Sequence, residues 1–90
     1  MAGALNPKAK DALSKGEIEV RINRFGVLQN QNFKVTRKKT PLGEVPYLTT
    51  EKFLPMPELV KIAEEYGLPI DSGTGRIFPR GKKETDFVGL

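Results

Sequence analysis

Ten residues, Pro57-Glu58-Leu59-Val60-Lys61-Ile62-Ala63-Glu64-Glu65-Tyr66, constrain this chain more than any other stretch. Pro57 suits a first helical turn, where its missing N–H is no loss and its φ is already helical. Glu58 stands at the positive end of the helix dipole. Gly67 fits the left-handed position after the last turn, Leu68 can fold back onto Ala63, and Pro69 blocks continuation. Leu59, Ile62, Ala63 and Tyr66 recur at helical spacing, with Val60 widening the stripe, while Lys61, Glu64 and Glu65 point away. A helix over 57–66 is therefore expected to cover the core of whatever the rest of the chain builds.

The rest reads mainly as strands. Glu17 to Phe25 alternates, Ile18, Val20 and Ile22 to one side and Glu19, Arg21 and Asn23 to the other, as a half-buried strand does. Gly26 interrupts it, and Val27-Leu28 could resume the strand after a bulge before a polar loop, Gln29–Asn32. Phe33 and Val35 mark a second strand, with Phe33 inward. Thr40-Pro41-Leu42-Gly43 is a turn. Val45 to Thr49 form a third strand, which Pro46 demotes to a sheet edge. Thr50 to Pro55 could make one helical turn, with Phe53 and Leu54 in the core. Asp71 to Gly75 reads as a flexible turn, and Arg76-Ile77-Phe78 could add a fourth strand. The expectation is an α+β fold, an antiparallel meander of three to four strands covered on one face by the 57–66 helix.

Ninety residues make one domain, 1–90, with a core of modest size. Its N-terminal arm, 1–16, reads as a short helix capped by Asn6, opened by Pro7 and ended by Gly16. The apolar stripe of that helix, Leu5, Ala9, Ala12 and Leu13, is thin enough to predict loose docking. The tail, 79–90, is basic and ends in an apolar anchor, Phe87-Val88. No run approaches the roughly 20 apolar residues that span a bilayer, and Met1 to Gly16 lacks a signal-peptide core, so a cytoplasmic protein without membrane contact is expected.

Cys and His are both absent. Disulfides, Cys/His metal sites, cysteine nucleophiles and histidine bases are excluded, and no cofactor or metal is expected. Glu64 and Glu65 are helix neighbours on divergent azimuths and cannot share a site as carboxylates three or four apart could. An enzyme is the least favoured class.

Charge is the sharpest functional signal. The chain carries 15 Lys and Arg against 11 Asp and Glu, net +4. Between Glu19 and Glu44 there is no acid, while Arg21, Arg24, Lys34, Arg37, Lys38 and Lys39 all fall inside. Several positive charges within one Debye length of about 8–10 Å would hold a polyanion through salt-dependent phosphate contacts. Arg76, Arg80 and Lys82 add to this candidate nucleic-acid-binding set, and the choice between DNA and RNA is open. An exposed aromatic on the basic face would support base stacking, and Phe25 and Tyr47 are the candidates. The competing reading is a protein-interaction module, or small subunit of a larger complex, using the third-strand edge or Leu28, Leu42, Leu54 and Met56.

Three motifs fail on inspection. Ala63 and Gly67 are spaced as in a helix-turn-helix, but two glycines and a proline between Ile70 and Pro79 make a poor recognition helix. Ser72-Gly73-Thr74-Gly75-Arg76 could form an anion-holding nest, yet it lacks the Lys-Ser/Thr ending of a P-loop. Pro79-Arg80-Gly81-Lys82-Lys83 matches an AT-hook too weakly to be more than a basic tail.

Overall fold

The computed structural model describes residues 6–73 and 75–90, Arg24 by its backbone alone. The order is α1 (Pro7–Lys15), β1 (Glu17–Arg24), β2 (Val27–Thr40), β3 (Gly43–Thr49), α2 (Met56–Tyr66), β4 (Ile70–Ser72), β5 (Gly75–Ile77) and a 3₁₀ turn (Glu84–Phe87). The strands form one sheet in the order β1-β2-β3-β4-β5, antiparallel except for β3 against β4, which run parallel through the α2 crossover. The α+β architecture matches the sequence expectation. The strand expected at Arg76-Ile77-Phe78 is present as β5, and Ile70–Ser72 adds a strand that was not expected. The turn expected at Asp71 to Gly75 therefore narrows to the hairpin turn at Gly73, with Thr74 outside the described residues.

Helix α2 covers the sheet as its sequence dictates. Leu59, Ile62 and Ala63 are buried, Gly67 takes φ 66°, and the Gly67 N–H donates to the Ala63 carbonyl at 2.8 Å. Ile18, Val20 and Ile22 of β1, Phe33 of β2, Leu48 of β3 and Ile70 and Ile77 of the last hairpin meet it from below. Helix α1 docks more firmly than its thin stripe suggests. Ala9 and Ala12 are fully buried, and their small side chains permit a close approach to β1 and α2. Asn6 caps α1 by accepting from the Lys8 N–H at 2.9 Å, and its amide also donates to the Glu65 carbonyl at 2.9 Å, tying the start of α1 to the last turn of α2.

Gly26 does not create a bulge. Phe25 and Gly26 are the two central residues of a tight turn, with φ of 54° and 78°, the signature of a type I′ hairpin. The turn sets Arg24 opposite Val27, and the register then runs unbroken to Glu17 opposite Lys34. Gln29–Asn32 are consequently paired strand residues, not a loop.

The third strand is not an edge. β3 lies between β2 and β4 although it contains Pro46. The Leu48 N–H donates toward β4, to the Pro69 carbonyl at 2.8 Å. Pro46, two residues earlier, turns its donorless nitrogen the same way, beyond the point where β4 begins, so no ladder bond is lost. The C-terminal segment takes over there, its Gly89 N–H donating to the Glu44 carbonyl at 3.0 Å. Val88 packs so tightly on Gly43 (φ 137°) that a Cβ at that glycine would meet the valine methyl at 2.7 Å.

That segment also splits the outer sheet face in two. Val45 and Tyr47 point away from the helices yet are fully buried, under Phe78 and the buried anchor Phe87. The Tyr47 and Phe78 rings meet edge to face at 6.3 Å, and Phe78 stacks with Phe87 at 6.3 Å. Residues 50–55 form no helical turn. Leu54 is buried, whereas Phe53, expected in the core, is 73% exposed.

Candidate nucleic-acid interface

Strand alternation decides where the cations go. Register puts Arg21, Lys34 and Lys38 on the outer face, together with Arg76 of β5. Arg37 and Lys39, at odd positions of β2, fall on the helix side. Arg24 closes β1 opposite Val27. The block from Arg21 to Lys39, continuous in sequence, is thus divided between two faces.

Acids on neighbouring strands and segments then stand opposite or pair with several of these cations. Glu17 stands across from Lys34 and Glu44 across from Lys39. Lys38 forms an ion pair with Asp71 of β4. Arg76 lies 3.1 Å from Glu84, its guanidinium 5.0 Å above the Tyr47 ring, and Arg80 is 3.6 Å from Glu64. Arg37 donates to the Leu90 carbonyl. Arg76, in particular, belongs to a locked cluster, because the Tyr47 hydroxyl also donates to Glu84 at 2.6 Å. Burial, followed by that carboxylate, pushes the Tyr47 phenol up to about 12. Among the described residues of this set, Arg21, Lys34, Lys39 and Lys82 are exposed and have no acid within ion-pair distance.

The open half of the outer face lies on β1 and β2. Its cross-strand pairs are Glu17 with Lys34, Glu19 with Asn32, Arg21 with Asn30 and Asn23 with Leu28, all exposed. A shallow cleft of about 420 Å³ opens beside them, lined in part by Asn30, Asn32, Lys34, Thr49 and Lys52. The row offers amide and cationic donors suited to phosphate oxygens and base edges, interleaved with the carboxylates of Glu17 and Glu19.

The hairpin ends in Phe25, which is 95% exposed. Val27 and Leu28 beside it are 55% and 63% exposed. Tyr47, the other aromatic candidate, cannot serve because the C-terminal segment covers it. Of the apolar residues marked for a protein contact, Leu28, Leu42 and Met56 are exposed, whereas Leu54 is buried and the third-strand edge does not exist. The exposed tip is the feature that sequence reasoning underweighted. Its signal was Phe25-Gly26 directly after the alternating run Glu17–Arg24, a two-residue hairpin loop without the usual Asn or Asp.

No helix among the described residues is long and apolar enough to cross a membrane. Comparison of the chain with protein-family models, curated proteins and solved structures found no match.

Proposed function

We propose that this domain binds nucleic acid without catalysing a reaction, and that the β1–β2 hairpin is the contacting element. The observation that carries the reading is Phe25, an aromatic side chain 95% exposed in a positive-φ position at the apex of a two-stranded ribbon. A bulky residue in the left-handed region costs about 1–2 kcal/mol, and the fold receives almost no burial in return. Such strain is characteristic of functional positions. An exposed ring stacks on unpaired bases whatever their identity, while Arg21, Asn23, Asn30, Asn32 and Lys34 follow the backbone along the open face. Arg24 completes the hairpin's basic residues in the sequence. Arg37, Lys38, Lys39, Arg76, Arg80 and Lys82 contribute long-range attraction rather than direct phosphate bonds, in keeping with their dispersal.

The test is fluorescence anisotropy with labelled single-stranded and duplex oligonucleotides of unrelated sequence over a salt series. Phe25→Ser is expected to weaken single-strand binding by about 5-fold or more, as expected for one base that no longer stacks. Arg21→Ala with Lys34→Ala should flatten the plot of log K against log salt by roughly 0.7 for each phosphate left unneutralised. A wild type that binds neither oligonucleotide at low salt refutes the reading.

A second reading rests on Val27 and Leu28, which with Phe25 form an apolar tip that would fit a pocket on a partner protein. Binding to such a partner would survive salt that abolishes phosphate binding, because screening leaves apolar burial intact.

A further inference from the structure

We propose that β1 pairs antiparallel with the β1 of a second copy of this chain, about a two-fold axis passing beside Val20. The two sheets then join into one. This inference stands on the backbone of β1 and is independent of the nucleic-acid reading.

β1 is the first strand of the sheet order, and among the described residues no strand lies beyond it. The Val35 N–H donates to the Gly16 carbonyl at 2.9 Å, so even positions along β1 face β2. Glu17, Glu19, Arg21 and Asn23 therefore turn their N–H and C=O groups outward. Natural sheets protect such an edge with proline, a bulge, a very short strand, a covering helix or charged side chains. β1 has no proline or bulge, its eight residues pairing with β2 in an uninterrupted register. The charges it carries, Glu17, Glu19 and Arg21, are of both signs and can pair with a second copy.

Its side chains select one register. Matching apolar face to apolar face requires the axis to pass beside a residue, since an axis between two residues sets the Ile18-Val20-Ile22 face against the charged one. An axis at Glu19 opposes Glu19 to itself, and an axis at Ile18 opposes Glu17 to Glu19. An axis at Arg21 opposes two arginines, and one at Ile22 leaves Arg21 against Asn23. Only the axis at Val20 sets Glu19 of each copy against Arg21 of the other, twice by symmetry. The same register places Ile18 against Ile22 and Val20 against Val20 on the apolar side. It also makes Glu19 with Arg21, and Glu17 with Asn23, the pairs that exchange two backbone hydrogen bonds each.

The experiment is sedimentation velocity on the full chain, using the wild type, Glu19→Arg and Arg21→Glu, with far-UV circular dichroism to confirm folding. The wild type should sediment as a dimer. Each single variant places like charges opposite one another and should weaken self-association by roughly 10-fold or more. An equimolar mixture of the two variants restores an acid opposite every base, so a heterodimer should form at near wild-type affinity. Should either charge variant fail to fold, Asn23→Pro removes one outward N–H without touching the β2 ladder and should also give a monomer. A wild type that is monomeric at roughly 1 mM overturns the proposal, since that concentration reveals even weak association. So does a dimer that persists in the folded single variants, or a mixture that stays monomeric. Glu19→Arg adds positive charge, so loss of the dimer with oligonucleotide binding retained separates this inference from the functional reading.

Discussion

Replacing Phe25 by Asn should make the protein more stable and less active. Asn adopts positive φ readily because its short polar side chain bonds locally, and Asn-Gly is the preferred pair for a type I′ turn. The backbone of residue 25 already has φ 54°, so the substitution relieves a cost of about 1–2 kcal/mol. Against this stands whatever the ring contributes to the fold. A fully buried Phe is worth about 1.5–3 kcal/mol, but at 95% exposure little of that burial term applies. A contact at the surface offsets under about 1 kcal/mol. The net expectation is a gain of roughly 0.5–1 kcal/mol, read as a higher urea midpoint at unchanged m-value. The same variant should lose about 5-fold or more in affinity for single-stranded oligonucleotide. A destabilisation beyond about 0.5 kcal/mol would refute the reasoning, since it would make Phe25 a structural residue. Greater stability with undiminished binding would instead remove it from the interface.

Two further perturbations probe the core and the covered half of the outer face. Ile62→Ala should cost roughly 2–5 kcal/mol, because Ile62, on the core-facing side of α2, is only 2% exposed. Lys61→Ala, on the solvent side, should change stability by less than about 0.5 kcal/mol in the same urea melts. The Tyr47 phenol, raised to about 12 in the fold from about 10 when unfolded, favours folding in its neutral form. Its contribution is complete below about pH 10 and disappears as pH rises toward about 12. Tyr47→Phe should therefore be less stable than wild type at pH 8, by about 1–2 kcal/mol for the missing bond to Glu84. That deficit should narrow in melts between pH 10 and 12, and a constant deficit would place the titration elsewhere.

Local chemistry was legible where it acts alone. Pro57 and Gly67 bounded α2 to within one residue of the observed helix, and alternation assigned Ile18, Val20, Ile22 and Phe33 to the core. Partners hid the rest. Gln29–Asn32 have weak strand propensity, but a turn fixed at Phe25-Gly26 extends the register into them. Pro46 suggested an edge because the direction of its missing donor depends on where β4 begins. Phe53 was assigned inward on hydrophobicity, yet residues 50–55 pass outside the core. The candidate site was half visible. The run of cations is real, but Asp71, Glu84 and Glu64 reach it only through tertiary structure, and alternation moves Arg37 and Lys39 off the outer face.

The C-terminal segment has a kinetic consequence. The β1–β2–β3 meander closes through two-residue turns, and such local pairing costs little chain entropy. The bonds from Gly89 to Glu44 and from Tyr47 to Glu84 span much longer stretches, so they should form after the rate-limiting barrier. Weakening Phe87 or Val88 should then accelerate unfolding while leaving the refolding rate nearly unchanged. The segment that shields Val45 and Tyr47 would thus set the lifetime of the folded state rather than the speed at which it is reached.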